Sequence, residues 1–209
     1  MLIKIFKNKG KGSAKASIDY LLDKDRNREL ATVLKGNPEL SLELAQSLAF
    51  SNKYTVGCLS FEEADLPKKS KLELMEKFEE MVFAGLTSEQ FNISWIEHRD
   101  KGRLELNFFI PNVELTTGKR YQPYFHRNDK HLFDSWMQLQ NYQYQLSDPH
   151  DPTKRQLCKF EFSTAMQQSK IKENLTVLIA AGIAQQHISS REDIIALLTQ
   201  SGFKIARTT

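Results

Sequence analysis

The chain has 209 residues, 40% hydrophobic and 26% charged, which suits one sizeable globular domain with an extension, or two small domains. Its longest apolar run, residues 175–184, falls well short of the roughly 20 residues a membrane span requires, and its start carries no apolar signal core, so a cytoplasmic protein without membrane insertion is expected. Two distant cysteines, Cys58 and Cys158, with no CxxC, exclude a disulfide scaffold and a zinc cluster.

Net charge is only +3, but residues 1–15 carry Lys4, Lys7, Lys9, Lys11 and Lys15 with no acid. Such a cationic arm suits a nucleic-acid backbone, where each neutralised phosphate releases counterions. It suits a solubilising tail equally well.

In chain order, "MLIKIFK" alternates apolar and basic residues and predicts a strand. "SIDYLLDKD" predicts a short helix capped by Ser17, and "NPELSLELAQSLAFS" a second, with Asn37 before Pro38 as its start signal. "KYTVGCLSFEE" reads as a strand with Cys58 a small core residue. Pro67 then opens a long amphipathic helix with Leu72, Met75, Phe78 and Met81 or Val82 on one stripe. Two strands follow, "FNISWIEHR" and "RLELNFFIPNVEL". A helix, "LFDSWMQLQNYQYQL", comes next, then two or three more between residues 160 and 201. "GFKIARTT" reads as a strand cut short, which suggests a piece of a longer protein. Interspersed strands and helices around a hairpin predict an α+β fold, a central antiparallel sheet covered by helices on one side. A domain over 1–150 is expected, followed by a helical extension over 151–209.

The hairpin carries the chemistry. With Lys101-Gly102 as a two-residue turn, Asp100 pairs with Arg103, Arg99 with Leu104, and His98 with Glu105. Alternation then puts Trp95, Leu104, Leu106, Phe108 and Ile110 on one face, a core surface interrupted by Glu97. The other face carries His98, Glu105 and Asn107, the first two with Cβ atoms roughly 4.5–5.5 Å apart. One nitrogen and two oxygen donors suit Mg²⁺ or Mn²⁺ better than structural zinc. A solvated sheet face with a His–Glu hydrogen bond reads the same residues without a metal.

"EHRDKGRLELNFFIPN", together with "YLLDKDR", "KYTVGCLSFEEADLP", "GKRYQPY" and "DPHDP" in that order, resembles the relaxases of small mobilizable plasmids, the MobA group of the colicin-plasmid type. The resemblance covers essentially the whole chain and implies an HUH-like fold. It also implies an endonuclease and transferase that nicks one DNA strand at the origin of transfer and stays attached to the 5′ phosphate through a tyrosine. In that family His98, Glu105 and Asn107 would be the metal triad, with Glu105 and Asn107 standing where most HUH enzymes have histidines. The resemblance assigns the nucleophile to Tyr20; residue physics alone does not separate it from Tyr54, Tyr121, Tyr124, Tyr142 and Tyr144. Its neighbours Ile18, Leu21 and Leu22 would anchor the helix while Tyr20 projects. Asp19, Asp23 and Glu97 are candidates to accept the phenolic proton.

For DNA contact the residues singled out are Lys9, Lys11, Lys15, Arg99, Arg103 and Arg120, with Tyr121 and Tyr124 to stack on unpaired bases. Expected partners are single-stranded plasmid DNA, accessory mobilization proteins and a coupling protein. A rolling-circle replication initiator and a non-catalytic single-stranded-DNA-binding module are the alternatives.

Overall fold

The computed structural model describes residues 1–6, 13–99, 102–149, 151 and 166–203. Lys9, Lys11, Cys158 and most of the expected final strand lie outside them. The chain divides into two compact units, residues 1–149 and 150–209.

The first unit is built on five strands: β1 (Leu2–Ile5), β2 (Ala31–Lys35), β3 (Tyr54–Ser60), β4 (Ser94–His98) and β5 (Glu105–Pro111). They form one sheet in the order β1-β3-β5-β4-β2, every pair antiparallel. Four helices cover it: α1 (Ala14–Leu22), α2 (Pro38–Ser47), α3 (Lys68–Val82) and α4 (His126–Gln143). The fold is therefore α+β.

The helices lie on both faces rather than one. Leu59, Trp95, Leu106, Phe108 and Ile110 pack against Leu74, Met75, Phe78 and Val82 of α3 and Phe133 and Met137 of α4. On the opposite face Tyr54, Val56, Ile96 and Phe109 pack against Ile18 and Leu21 of α1 and Leu42 and Ala45 of α2. The reason is compositional: the face that carries the polar triad also carries these large apolar side chains, and they too must leave water.

Local signals explain the elements. Asn37 caps α2, its Oδ1 accepting from the N–H groups of Glu39 and Leu40, with Pro38 at the first helical position. In α1 the cap is Ser13, not Ser17; Ser17 is inside the helix and donates to the hydroxyl of Tyr54 at 3.0 Å. Gly57 lies where a Cβ would come within 2.4 Å of the Lys4 carbonyl and 2.5 Å of the Phe108 ring, so β1 and Phe108 both close over a bare backbone.

Glu97, the exception on the apolar face, is buried but paired. Lys71 of α3 donates to it at 2.6 Å, and Arg99 meets its other oxygen at 2.6 Å. Asp65 completes the cluster, 2.8 Å from Lys71 and 3.1 Å from Arg99. Hydrogen bonding from Lys71 is the main reason the Asp65 carboxyl is held below its usual range.

The second unit contains α5 (Met166–Ala184) and α6 (Arg191–Gln200). Ser190 and Asp193 form a reciprocal capping box at the start of α6. Among the described residues no helix is long and apolar enough to cross a membrane.

Candidate functional site

The register of β4 on β5 opposes His98 to Glu105 and Ile96 to Asn107. Directly opposed residues share a face, so His98, Glu105 and Asn107 do converge, as the hairpin alternation predicts. Across β3 the same face continues with Ser60 beside Glu105 and Cys58 beside Asn107. The turn differs from the expected one. The ladder stops at His98–Glu105; Arg99 donates its N–H to the Leu30 carbonyl and Leu104 to that of Glu63. Asp100 and Lys101 lie outside the described residues.

All three triad side chains are buried. His98 Nε2 lies 2.7 Å from the carbonyl oxygen of Leu21. A carbonyl can only accept, so Nε2 carries the proton and in the neutral ring Nδ1 holds the lone pair. Glu105 accepts from Arg103 at 2.9 Å. Asn107 commits its amide nitrogen to the Ile96 carbonyl at 3.4 Å, which leaves Oδ1 as the atom to meet a cation. Among the described residues no three His, Cys, Asp or Glu side chains gather around one point. A cation here would therefore need the amide oxygen as a third donor, and one nitrogen with two oxygens suits a hard divalent ion that keeps some of its water.

Above the triad lies α1. Its buried face is Ala14, Ile18, Leu21 and Leu22, and Tyr20 projects from the other side, 57% exposed. The helix ends at Leu22, so its last carbonyls lack intrahelical partners, and the imidazole supplies one for Leu21. One hydrogen bond thus joins the helix of Tyr20 to the triad. Sequence reasoning missed Arg28, whose guanidinium carbon stands 5.4 Å from the Tyr20 ring centroid. No local pattern marks it among the charges of "DKDRNREL".

The other expected contacts divide. Lys15 lies on the exposed side of α1, paired with Asp19 at 2.7 Å. Arg103 borders the triad through Glu105, its Nε buried with no partner among the described residues. Arg99 does not serve the triad face: it follows Glu97 by two residues and is held by Glu97 and Asp65. Tyr121 and Tyr124 belong to the opposite layer. The Tyr121 hydroxyl donates to the Val82 carbonyl at 2.6 Å, and the Tyr124 ring packs edge-on against Phe133 with centroids 4.8 Å apart. The structure does not bring these aromatics to the triad, because α3 and α4 draw them into the far core. Arg120 is exposed in the same loop, donating to Gln122 at 2.6 Å.

The proton acceptors are sorted as well. Glu97 faces away and is neutralised by Lys71 and Arg99. Hydrogen bonds from Lys15, and then Arg26, hold the Asp19 carboxyl below its usual range, which makes it a weak base. Asp23 stays exposed at the end of α1.

An antiparallel sheet sandwiched by helix pairs, with a His–Glu–Asn cluster on its central strands under a tyrosine-bearing helix, is the class of molecule at hand. No family model matches the chain. It is 48% identical over 187 residues to cryptic plasmid protein C of Neisseria gonorrhoeae, which covers 90% of this chain and 87% of that protein. It is 44% identical over 209 residues to the DNA relaxase MbeA of Escherichia coli, 100% of this chain and 40% of that one. The chain belongs to the MobA-type plasmid relaxases. It spans about two fifths of the length of the Escherichia coli relative.

Proposed function

We propose that this chain is the catalytic part of a DNA relaxase that nicks one plasmid strand at an origin of transfer and holds the 5′ end covalently. The observation that supports it most is the hydrogen bond from His98 to the Leu21 carbonyl, which fastens the helix carrying the exposed Tyr20 to a strand bearing buried nitrogen and oxygen donors. The name of the Escherichia coli relative, a DNA relaxase, points the same way.

In this reading Tyr20 Oη attacks the scissile phosphorus in line. The P–O3′ bond breaks, a 5′-phosphotyrosyl link forms, and the phenolic proton ends on the departing 3′ oxygen. One phosphodiester replaces another, so the exchange is close to neutral in energy and strand rejoining needs no ATP. His98, Glu105 and Asn107 would hold a Mg²⁺ or Mn²⁺ ion, which when bound supplies Lewis-acid charge to the phosphate oxygens. The residues themselves hold the geometry. The Leu21 contact fixes the height of α1 over the sheet, and Ile18 and Leu21 bury its other face. Lys15 and Arg103 would meet the DNA backbone beside the site, and Lys9 and Lys11 would add DNA contacts from outside the described residues. Single-stranded DNA at the transfer origin, accessory mobilization proteins and a coupling protein are the partners this function calls for.

Supercoiled plasmid carrying the DNA that flanks the coding sequence tests the reading. Nicking with Mn²⁺, lost on chelation and regained on re-addition, is the expected result. A gel shift without any nicking would make the chain a DNA-binding module instead.

A further inference from the structure

Tyr20 sits in the last turn of α1, where the carbonyls of Tyr20, Leu21 and Leu22 have outside donors. The Arg28 guanidinium donates to the Tyr20 carbonyl, His98 to that of Leu21, and the Arg28 backbone N–H to that of Leu22 at 3.0 Å. Two of the three donors belong to one residue, and its guanidinium carbon also lies 5.4 Å from the Tyr20 ring centroid. Reaching this place requires an unusual backbone. Asp23, Arg26 and Leu30 adopt φ of 69°, 59° and 58°, left-handed values that residues with a side chain avoid unless their surroundings enforce them. Arg26 braces the start of this loop, bonded to Asp19 of α1 at 2.7 Å, to the Asp23 carbonyl at 2.7 Å, and to Glu39 of α2. The Arg28 carbonyl in turn accepts from Ala31, the ladder partner of His98. The loop is thus fastened to the tyrosine helix at one end and beside the triad strand at the other.

We propose that Arg28 is a positioning residue for Tyr20, its guanidinium fixing the ring and placing positive charge over the ring face. The inference rests on the relaxase reading and deepens it. In cleavage the Oη–P bond forms and the P–O3′ bond breaks, the phenolic proton ending on the 3′ oxygen. In rejoining the 3′ hydroxyl attacks, the Oη–P bond breaks, and the proton returns to Tyr20. A cation on the ring face favours the more negative oxygen of the reacting phenol in both directions. Losing it slows cleavage and rejoining together and leaves their equilibrium in place.

Two variants separate charge from shape. Arg28→Gln keeps an N–H for the Tyr20 carbonyl but no charge; Arg28→Lys keeps the charge. Single-turnover adduct formation, rejoining of preformed adduct, DNA affinity and thermal unfolding are measured for each. Arg28→Gln slows both reactions roughly tenfold, the rate equivalent of one partly desolvated cation–π contact. Its DNA affinity and melting temperature stay at wild-type values, and Arg28→Lys recovers most of both rates. Wild-type rates in Arg28→Gln, a Lys variant no faster than Gln, slowing in one direction only, or slowing matched by a fall in melting temperature would each overturn the proposal. A wild-type chain that forms no adduct would sink the relaxase reading and this inference with it; failure in the variant comparison alone sinks only the inference.

Discussion

His98 and Leu21 are 77 positions apart in sequence and joined by a 2.7 Å hydrogen bond, from an imidazole nitrogen on β4 to a carbonyl at the end of α1. The ring anchors the helix of Tyr20 through Nε2, and under the proposed function it would also hold a cation. His98→Ala removes both. It leaves a buried carbonyl unsatisfied, a loss of about 1–3 kcal/mol in urea denaturation. Mn²⁺ binding, followed by electron paramagnetic resonance, disappears with it. Glu105→Gln abolishes Mn²⁺ binding without breaking the α1 anchor, so the two variants differ in stability and agree in metal affinity. Unchanged Mn²⁺ affinity in both variants would remove the metal from the account.

The Glu97–Lys71 pair offers a test of the fold on the face away from Tyr20. Both groups are buried, and removing Lys71 leaves Glu97 with the partly exposed Arg99 as its remaining ion-pair partner among the described residues. Lys71→Met lowers unfolding free energy by about 1–3 kcal/mol, and adding Glu97→Gln to it restores part of the loss. Chemical denaturation of the single and double variants reads this directly. A single variant as stable as wild type would mean the ion-pair cluster with Asp65 and Arg99 is not closed in solution.

Glu114 provides a pH signature. A hydrogen bond from the Thr117 hydroxyl, helped by the N–H groups of Thr116 and Thr117 at 2.9 and 2.8 Å, lowers its pKa from the usual 4.5 to about 2. A depressed carboxyl stabilises the folded state above its unfolded pKa, and that stabilisation fades as pH falls through the folded value. The gap in melting temperature between wild type and Glu114→Gln is therefore widest above about pH 5 and closes toward pH 2. A gap that is flat over this range would show that the carboxylate is not held by the turn.

How much of this was legible depends on range. The His98–Glu105 register followed from alternation on either side of Gly102, because a hairpin is local and its turn restricts the pairing. The start of α2 at Asn37-Pro38 was legible for the same reason. β2 was not foreseen. "ATVLK" shows no alternation, Val33 is 42% exposed, and only pairing with β4, some 60 residues on, makes it a strand. Helices on both faces were also missed, since Ile96 and Phe109 announce a second core only once their face is known to be covered. The assignment of Tyr20 came from the resemblance; that it projects while Ile18, Leu21 and Leu22 are buried was legible from its neighbours, but the bond from His98 to the Leu21 carbonyl was not. Arg28 stayed hidden because three left-handed residues, none of them glycine, bring it to the ring.

The central claim is that the Tyr20 phenol becomes esterified to DNA. The chain is incubated with Mn²⁺ and the plasmid carrying its flanking DNA, the DNA is digested, and the remaining nucleotide is mapped by peptide mass spectrometry. The account predicts a nucleotide on the peptide containing Tyr20, joined through its 5′ phosphate, and none in Tyr20→Phe. A nucleotide on Tyr54, Tyr121, Tyr124, Tyr142 or Tyr144, or adduct persisting in Tyr20→Phe, would contradict it.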